Sequence, residues 1–188
     1  MATLAWIRNM LDKRQVPYQE IRHEEVFTAQ ELAQIQHISG HRVAKVIVVI
    51  ADDHPVELVL PASRRVLMHE VKRLLNAHEV RLATEAELAA TFTGCELGAV
   101  PPLPHWKGVR VLMDEALATT GEILFQAGTH QDAIRLDFAD WLCVARPQID
   151  SFSEPIGTPH DVPLRRKDVP LFTPQEIDLP EEAASGVN

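Results

Sequence analysis

The sequence predicts a mixed α/β (α+β) fold, a central β-sheet flanked by helices. Three observations carry that prediction. Thr-x-x-Glu pairs at Thr28/Glu31 and Thr84/Glu87 precede apolar residues at helical spacing; residues 43–51 form a β-branched, nearly all-apolar run; and short strand-like runs surround Gly121 and Gly128. In a Thr-x-x-Glu pair each side chain can accept from a backbone N–H that the first helical turn leaves unpaired, so the pattern marks a helix start.

Taken in order, Leu4, Ile7 and Leu11 recur at helical spacing behind Thr3 as N-cap, and the pattern stops at Val16-Pro17. The Thr28 box opens a second helix carrying Leu32 and Ile35 and stopping near Gly40. Residues 43–51 and 56–60 read as two strands across an Asp-Asp-His-Pro break, at least one of them buried on both faces. Ser63 reads as the cap of a third helix with Leu67, Val71, Leu74 and Leu75 on one side, and Thr84 as the cap of a fourth. From 93 to 108 the periodicity gives way to Gly94, Gly98, Pro101, Pro102 and Pro104. That stretch is too irregular for an element and too apolar for disorder, which predicts an ordered functional loop. Residues 109–113, 123–126 and 134–136 read as strands, and a terminal helix runs through Trp141.

With 188 residues, 46% hydrophobic and 24% charged, the chain has the composition of one globular domain, assigned to 1–149, and a tail, 150–188. The tail is broken by prolines and holds eight acidic against three basic residues, more than half of the net charge of −9. A solvated, extended or disordered segment is expected there, with a partner-binding arm as the alternative. An acidic chain of pI near 5.4 is no general nucleic-acid coat, so any RNA contact is local. Cys95 and Cys143 are far apart and fit a reducing compartment. The charged first residues do not resemble a signal peptide. The longest apolar run, 46–51, falls far short of the roughly 20 residues of a spanning helix.

Three pieces carry a resemblance. They are His41-Arg42-Val43-Ala44-Lys45-Val46-Ile47-Val48-Val49, then Gly94-Cys95-Glu96-Leu97-Gly98-Ala99-Val100-Pro101-Pro102, then Ala127-Gly128-Thr129-His130. In order and spacing they resemble the YbaK/ProX editing family and its counterpart inserted in bacterial prolyl-tRNA synthetases, and His23, 28–31 and 58–62 resemble further parts of it. The resemblance implies a partial barrel as the form of the sheet. It also implies a cytoplasmic hydrolase that removes a small, wrongly attached amino acid from the 3′-terminal adenosine of transfer RNA.

By spacing alone Lys45 is a flanking lysine at a sheet edge; the resemblance makes it a cation of the editing pocket that positions phosphate or ester and offsets developing negative charge. Gly98 and Ala99 open a loop that by composition is a turn and by resemblance a GxxxP loop, whose backbone N–H groups bind the ester carbonyl and its oxyanion. Ala99 stands where many members have a second glycine. His130 has the chemistry of a general base or of a structural loop histidine; the resemblance implies that it positions the substrate. Phe27, Thr28, Leu97 and Pro102, with Phe125, are expected around the amino acid. Cys95 as nucleophile is the alternative chemistry, whereas the family implies attack by water, helped by the substrate's vicinal ribose hydroxyl. His37 and His41 have the spacing of two metal ligands, but Gly40 falls between them at an expected helix end, so neither metal nor cofactor is expected.

For RNA, the helix expected after Ser63 would aim Arg65 and Lys72 the same way, with Arg64 beside them and Arg42 extending the stripe; an ordinary solvated face is the alternative. The expected partners are aminoacyl-tRNA and, second, an aminoacyl-tRNA synthetase, with neither DNA nor a membrane. Two competing functions are a non-catalytic aminoacyl-tRNA or synthetase-binding module of the same fold, and hydrolysis of free aminoacyl esters.

Overall fold

Both Thr-x-x-Glu pairs close as capping boxes, each threonine accepting from the backbone of its glutamate and each glutamate accepting in return. In the computed structural model, which describes residues 4–157, they start the second and fourth of five helices. The chain runs α1 (Ala5–Lys13), β1 (Tyr18–Arg22), α2 (Ala29–Ile35), β2 (Ala44–Ala51), β3 (His54–Pro61), β4 (Arg64–Val66), α3 (Met68–Leu75) and β5 (Val80–Leu82). It continues through α4 (Glu85–Thr91), β6 (Arg110–Asp114), β7 (Glu122–Thr129), β8 (Asp132–Asp137), α5 (Phe138–Ala145), β9 (Gln148–Asp150) and β10 (Ser153–Pro155).

A mixed five-stranded sheet has the order β5-β2-β3-β6-β9, with β2 antiparallel to β3 and β6 parallel to both β3 and β9. A second, antiparallel sheet has the order β1-β8-β7. The two meet at a parallel bridge between Val43 and Leu124, so the strands wrap the core without closing. Ile7 and Leu11 of α1, Val59, Met113, Phe125 and Ile134 from the two sheets, and Trp141 of α5 fill the space between. Burial of such side chains, about 1.5–3 kcal/mol each, is the main term holding the layers together.

Several elements differ from the sequence reading. The first helix starts at Ala5 with Leu4 as N-cap and no side-chain cap, and Thr3 lies outside the described residues. The second ends at Ile35 rather than near Gly40, and His37 takes a left-handed backbone, φ 51°. The break between β2 and β3 shrinks to Asp52-Asp53, both at positive φ, the conformation of a tight two-residue hairpin turn; His54 already pairs with Ala51.

The helix expected from Ser63 is the largest departure. Residues 64–66 pair instead as β4 with β10, and α3 starts only at Met68. The reason is distant in sequence: Arg64 Nε donates to Ser153 Oγ at 2.7 Å and Arg65 Nε to Glu154 at 2.9 Å. Folded chain thus continues past residue 149, through β9 beside β6 and β10 beside β4, while residues 158–188 lie outside the described residues. The strands β1, β5, β9 and β10 were not anticipated.

Candidate active site

The strand β2 delivers Lys45 to a small cavity of about 30 Å³, room for roughly two waters. Ala29 and Leu32 of α2, Ala44 and Val46 of β2, Gly98 and Val100 of the 93–108 loop, and Gln126 of β7 complete its lining. Lys45 is half-buried with no ion pair or hydrogen bond among the described residues, and burial lowers its pKa from the usual lysine value.

The loop is clamped to the end of β7. Glu96 N donates to Gly128 O at 2.8 Å and Gly128 N to Ala99 O at 3.0 Å, while the Glu96 carboxylate accepts from His130 N at 2.6 Å. Gly128 sits in the bulge of the β7–β8 ladder at φ +93°, and a Cβ there would press on the Leu4 side chain. The positive φ is the demand that favours glycine, since the Leu4 side chain can turn aside.

Within the GxxxP stretch the amides divide. Ala99 is fully buried and its N–H donates to Glu96 O at 3.0 Å, so it is engaged in a turn and is no free donor, against expectation. Pro101 and Pro102 have no N–H. Gly98 and Val100 both line the cavity, and neither N–H has an acceptor among the described residues.

His130 is buried against the loop. Its Nε2 lies 2.9 Å from the Leu97 carbonyl, which can only accept, so Nε2 carries the hydrogen. Nδ1 then accepts from Gln126 Nε2 at 3.5 Å, and that amide also donates to Val26 O at 2.9 Å. With both ring nitrogens engaged, His130 has no free lone pair for a general base.

The other expected wall residues do not line the cavity. Phe27 is exposed and packs its ring on His130 at 4.7 Å. The Thr28 hydroxyl caps α2. Leu97 is exposed and contributes its carbonyl. Pro102 is buried, its carbonyl accepting from Trp141 Nε1 at 2.9 Å. Phe125 belongs to the core, and its neighbour Gln126 faces the cavity instead.

Cys95 is a poor nucleophile: burial and the nearby Glu57 push its thiol up to about 12. His41 sits in a short turn with Nδ1 3.3 Å from Ser63 Oγ, and His37 lies beyond the end of α2, so the two share no helical face. The basic stripe does not assemble either. Arg64 and Arg65 belong to β4, Lys72 stands exposed on α3, and Arg42 donates to Glu122 O at 3.0 Å. Among the described residues no helix is long and apolar enough to cross a membrane.

A family model described as aminoacyl-tRNA editing domain matches residues 23–143. The multifunctional Ser/Thr-tRNA deacylase ProXp-y of Escherichia coli (strain K12) is 24% identical over 148 residues, 76% of this chain and 88% of that protein. The proline–tRNA ligase of Leuconostoc citreum (strain KM20) is 29% identical over 116 residues, 62% of this chain; the chain spans about a fifth (20%) of that ligase's length. A crystal structure of a candidate trans-editing enzyme for prolyl-tRNA synthetase superposes with a TM-score of 0.68 at 22% identity, covering 79% of this chain and 94% of the other.

Proposed function

The chain belongs to the aminoacyl-tRNA editing domain family, and from that premise we propose that it acts in trans as a cytoplasmic hydrolase, cleaving the ester between a small mismatched amino acid and the 3′-terminal adenosine of tRNA. One observation carries the reading: Lys45, Gly98 and Val100 line one cavity, and neither the Lys45 ammonium nor the Gly98 and Val100 N–H groups have a partner among the described residues. Buried polar groups normally have partners, and groups left open in a cleft are available to a ligand.

In this reading the ester carbonyl points at the N–H groups of Gly98 and Val100, which stabilise the oxyanion formed when water attacks, and the substrate's vicinal ribose hydroxyl assists that water. Lys45 lies beside the adenosine and offsets the negative charge. Its partly desolvated ammonium interacts more strongly there than it would in bulk water. His130, fixed by Leu97 and Gln126 and packed on Phe27, positions the substrate through the loop that presents Gly98 and Val100. The cavity's small walls, Ala29, Ala44 and Val46, favour a small side chain, and the E. coli relative named for Ser and Thr supports that class. A second site of this kind adds discrimination that a synthetase pocket lacks, since one methylene is worth only about 1–3 kcal/mol. The ligase match supports a synthetase as a second partner, and the free Cys95 and Cys143 suit a reducing compartment.

The test is deacylation of tRNAs mischarged with Ala, Cys, Ser and Thr by the wild type and Lys45→Ala. Accelerated loss of at least one ester, abolished by the substitution, is expected. No acceleration of any ester overturns the reading and leaves a binding module of the same fold.

A further inference from the structure

Glu57 on β3 is 1% exposed, and neither carboxyl oxygen has a hydrogen-bond partner among the described residues. Its register neighbours are Val48 on β2 and Val111 on β6, so the adjacent strands offer it no polar side chain. Strand pairing puts Glu57 on the same side of the sheet as Val48. Val48 packs with Phe92 and Val100 and against Cys95 and Trp106, the underside of the loop that carries Gly98 and Val100. The Trp106 indole N–H is buried there without a partner too, as is that of Trp6, whose ring meets Trp106 edge-on at 5.4 Å.

An ionised carboxylate in such a place forms no ion pair among the described residues. Cys95, from the loop, is the titratable group whose thiol responds to it. On β2 the nearest cation, Lys45, opens on the cavity; on β6 Arg110 is exposed and bonded to Gln148. Burial accordingly raises the Glu57 carboxyl well above the ordinary carboxylate range. The neutral acid can lie under an apolar loop, whereas the anion demands water or a cation.

We propose that Glu57 is a positioning residue for the 96–102 loop: protonated, it lets the loop rest on the sheet, and loss of its proton lifts the loop and withdraws the Gly98 and Val100 amides from the cavity. Only the activity readout of this role rests on the deacylase reading.

The experiment compares the full-length wild type with the isosteric, non-ionising Glu57→Gln. Tryptophan fluorescence is titrated between about pH 6 and 10, and ester cleavage, corrected for spontaneous hydrolysis, is measured over the same range. The wild type is expected to show a reversible fluorescence change that the variant lacks. Beyond that change the ratio of wild-type to variant kcat falls about tenfold per pH unit, with KM little altered. Lys45 titrates in both proteins and cancels in the ratio. A fluorescence change that persists in Glu57→Gln, the absence of any change in the wild type, or a pH-independent kcat ratio overturns the proposal. If neither protein cleaves an ester, the functional reading fails while fluorescence still decides the role of Glu57. Should the glutamine variant not fold, Glu57→Met carries the same comparison.

Discussion

At the seam of β4 with β10, Arg64 donates to Ser153, Arg65 to Glu154, and the buried Asp114 accepts from Phe152 N at 2.8 Å and Ala116 N at 3.0 Å. Around the 96–102 loop, by contrast, the Lys45 ammonium, the Gly98 and Val100 amides and the Glu57 carboxyl have no partner among the described residues. The first region uses its polar groups to hold strands together. The second leaves them open and is held by backbone bonds made elsewhere, between Glu96, Ala99 and Gly128. Charged residues alone therefore do not mark a site: arginines at the seam are structural, whereas the proposed function draws on the unpaired groups that line the cavity, Lys45, Gly98 and Val100, and not on the buried Glu57.

Substitutions in the two regions should separate activity from stability. The largest effect is expected at Lys45→Ala, a loss of about 10²–10³ in kcat with no fall in Tm, because removing a half-buried, unpaired cation also removes its desolvation cost. A parallel fall in Tm would show that Lys45 is structural and erase the contrast. Asp114→Ala should do the reverse. It strands the buried Phe152 N–H and costs about 2–3 kcal/mol in urea unfolding, with kcat unchanged. Gly128→Ala joins both effects, because the positive φ alone costs about 1–2 kcal/mol and the clamped loop shifts, so stability and kcat fall together. The smallest effect belongs to Arg65→Ala, below about 1 kcal/mol for a partly exposed ion pair. The salt dependence of tRNA binding should not change; a shallower slope would restore Arg65 as a phosphate contact.

What the sequence made legible follows from where each signal is encoded. The helices α2 and α4 are written in four adjacent residues each, and the β2–β3 pair in an unbroken β-branched run. Three-residue strands such as β4 and β10 exist because each finds the other almost ninety positions away, and nothing local to 63–67 announces that. The site shows the same division. Lys45 and Gly98 were found through resemblance and do meet in one cavity. Phe125, expected in the wall, lies in the core, and its neighbour Gln126 lines the cavity, a matter of strand parity that the pairing of β7 with β8 decides. The binding of the Ala99 amide to Glu96 depends on a turn whose path no composition specifies.

The bridge between Val43 and Leu124 bears on selectivity. Ala44, Lys45 and Val46 belong to one sheet and Gln126 to the other, so the cavity straddles a joint where, among the described residues, the two ladders share one isolated bridge above the common core. Under the proposed function, the room it offers an amino acid depends on how closely the two sheets meet there as well as on the size of its side chains. Under that reading Val43 and Leu124, both buried in one cluster, would then gauge the admitted amino acid from a distance, without touching it.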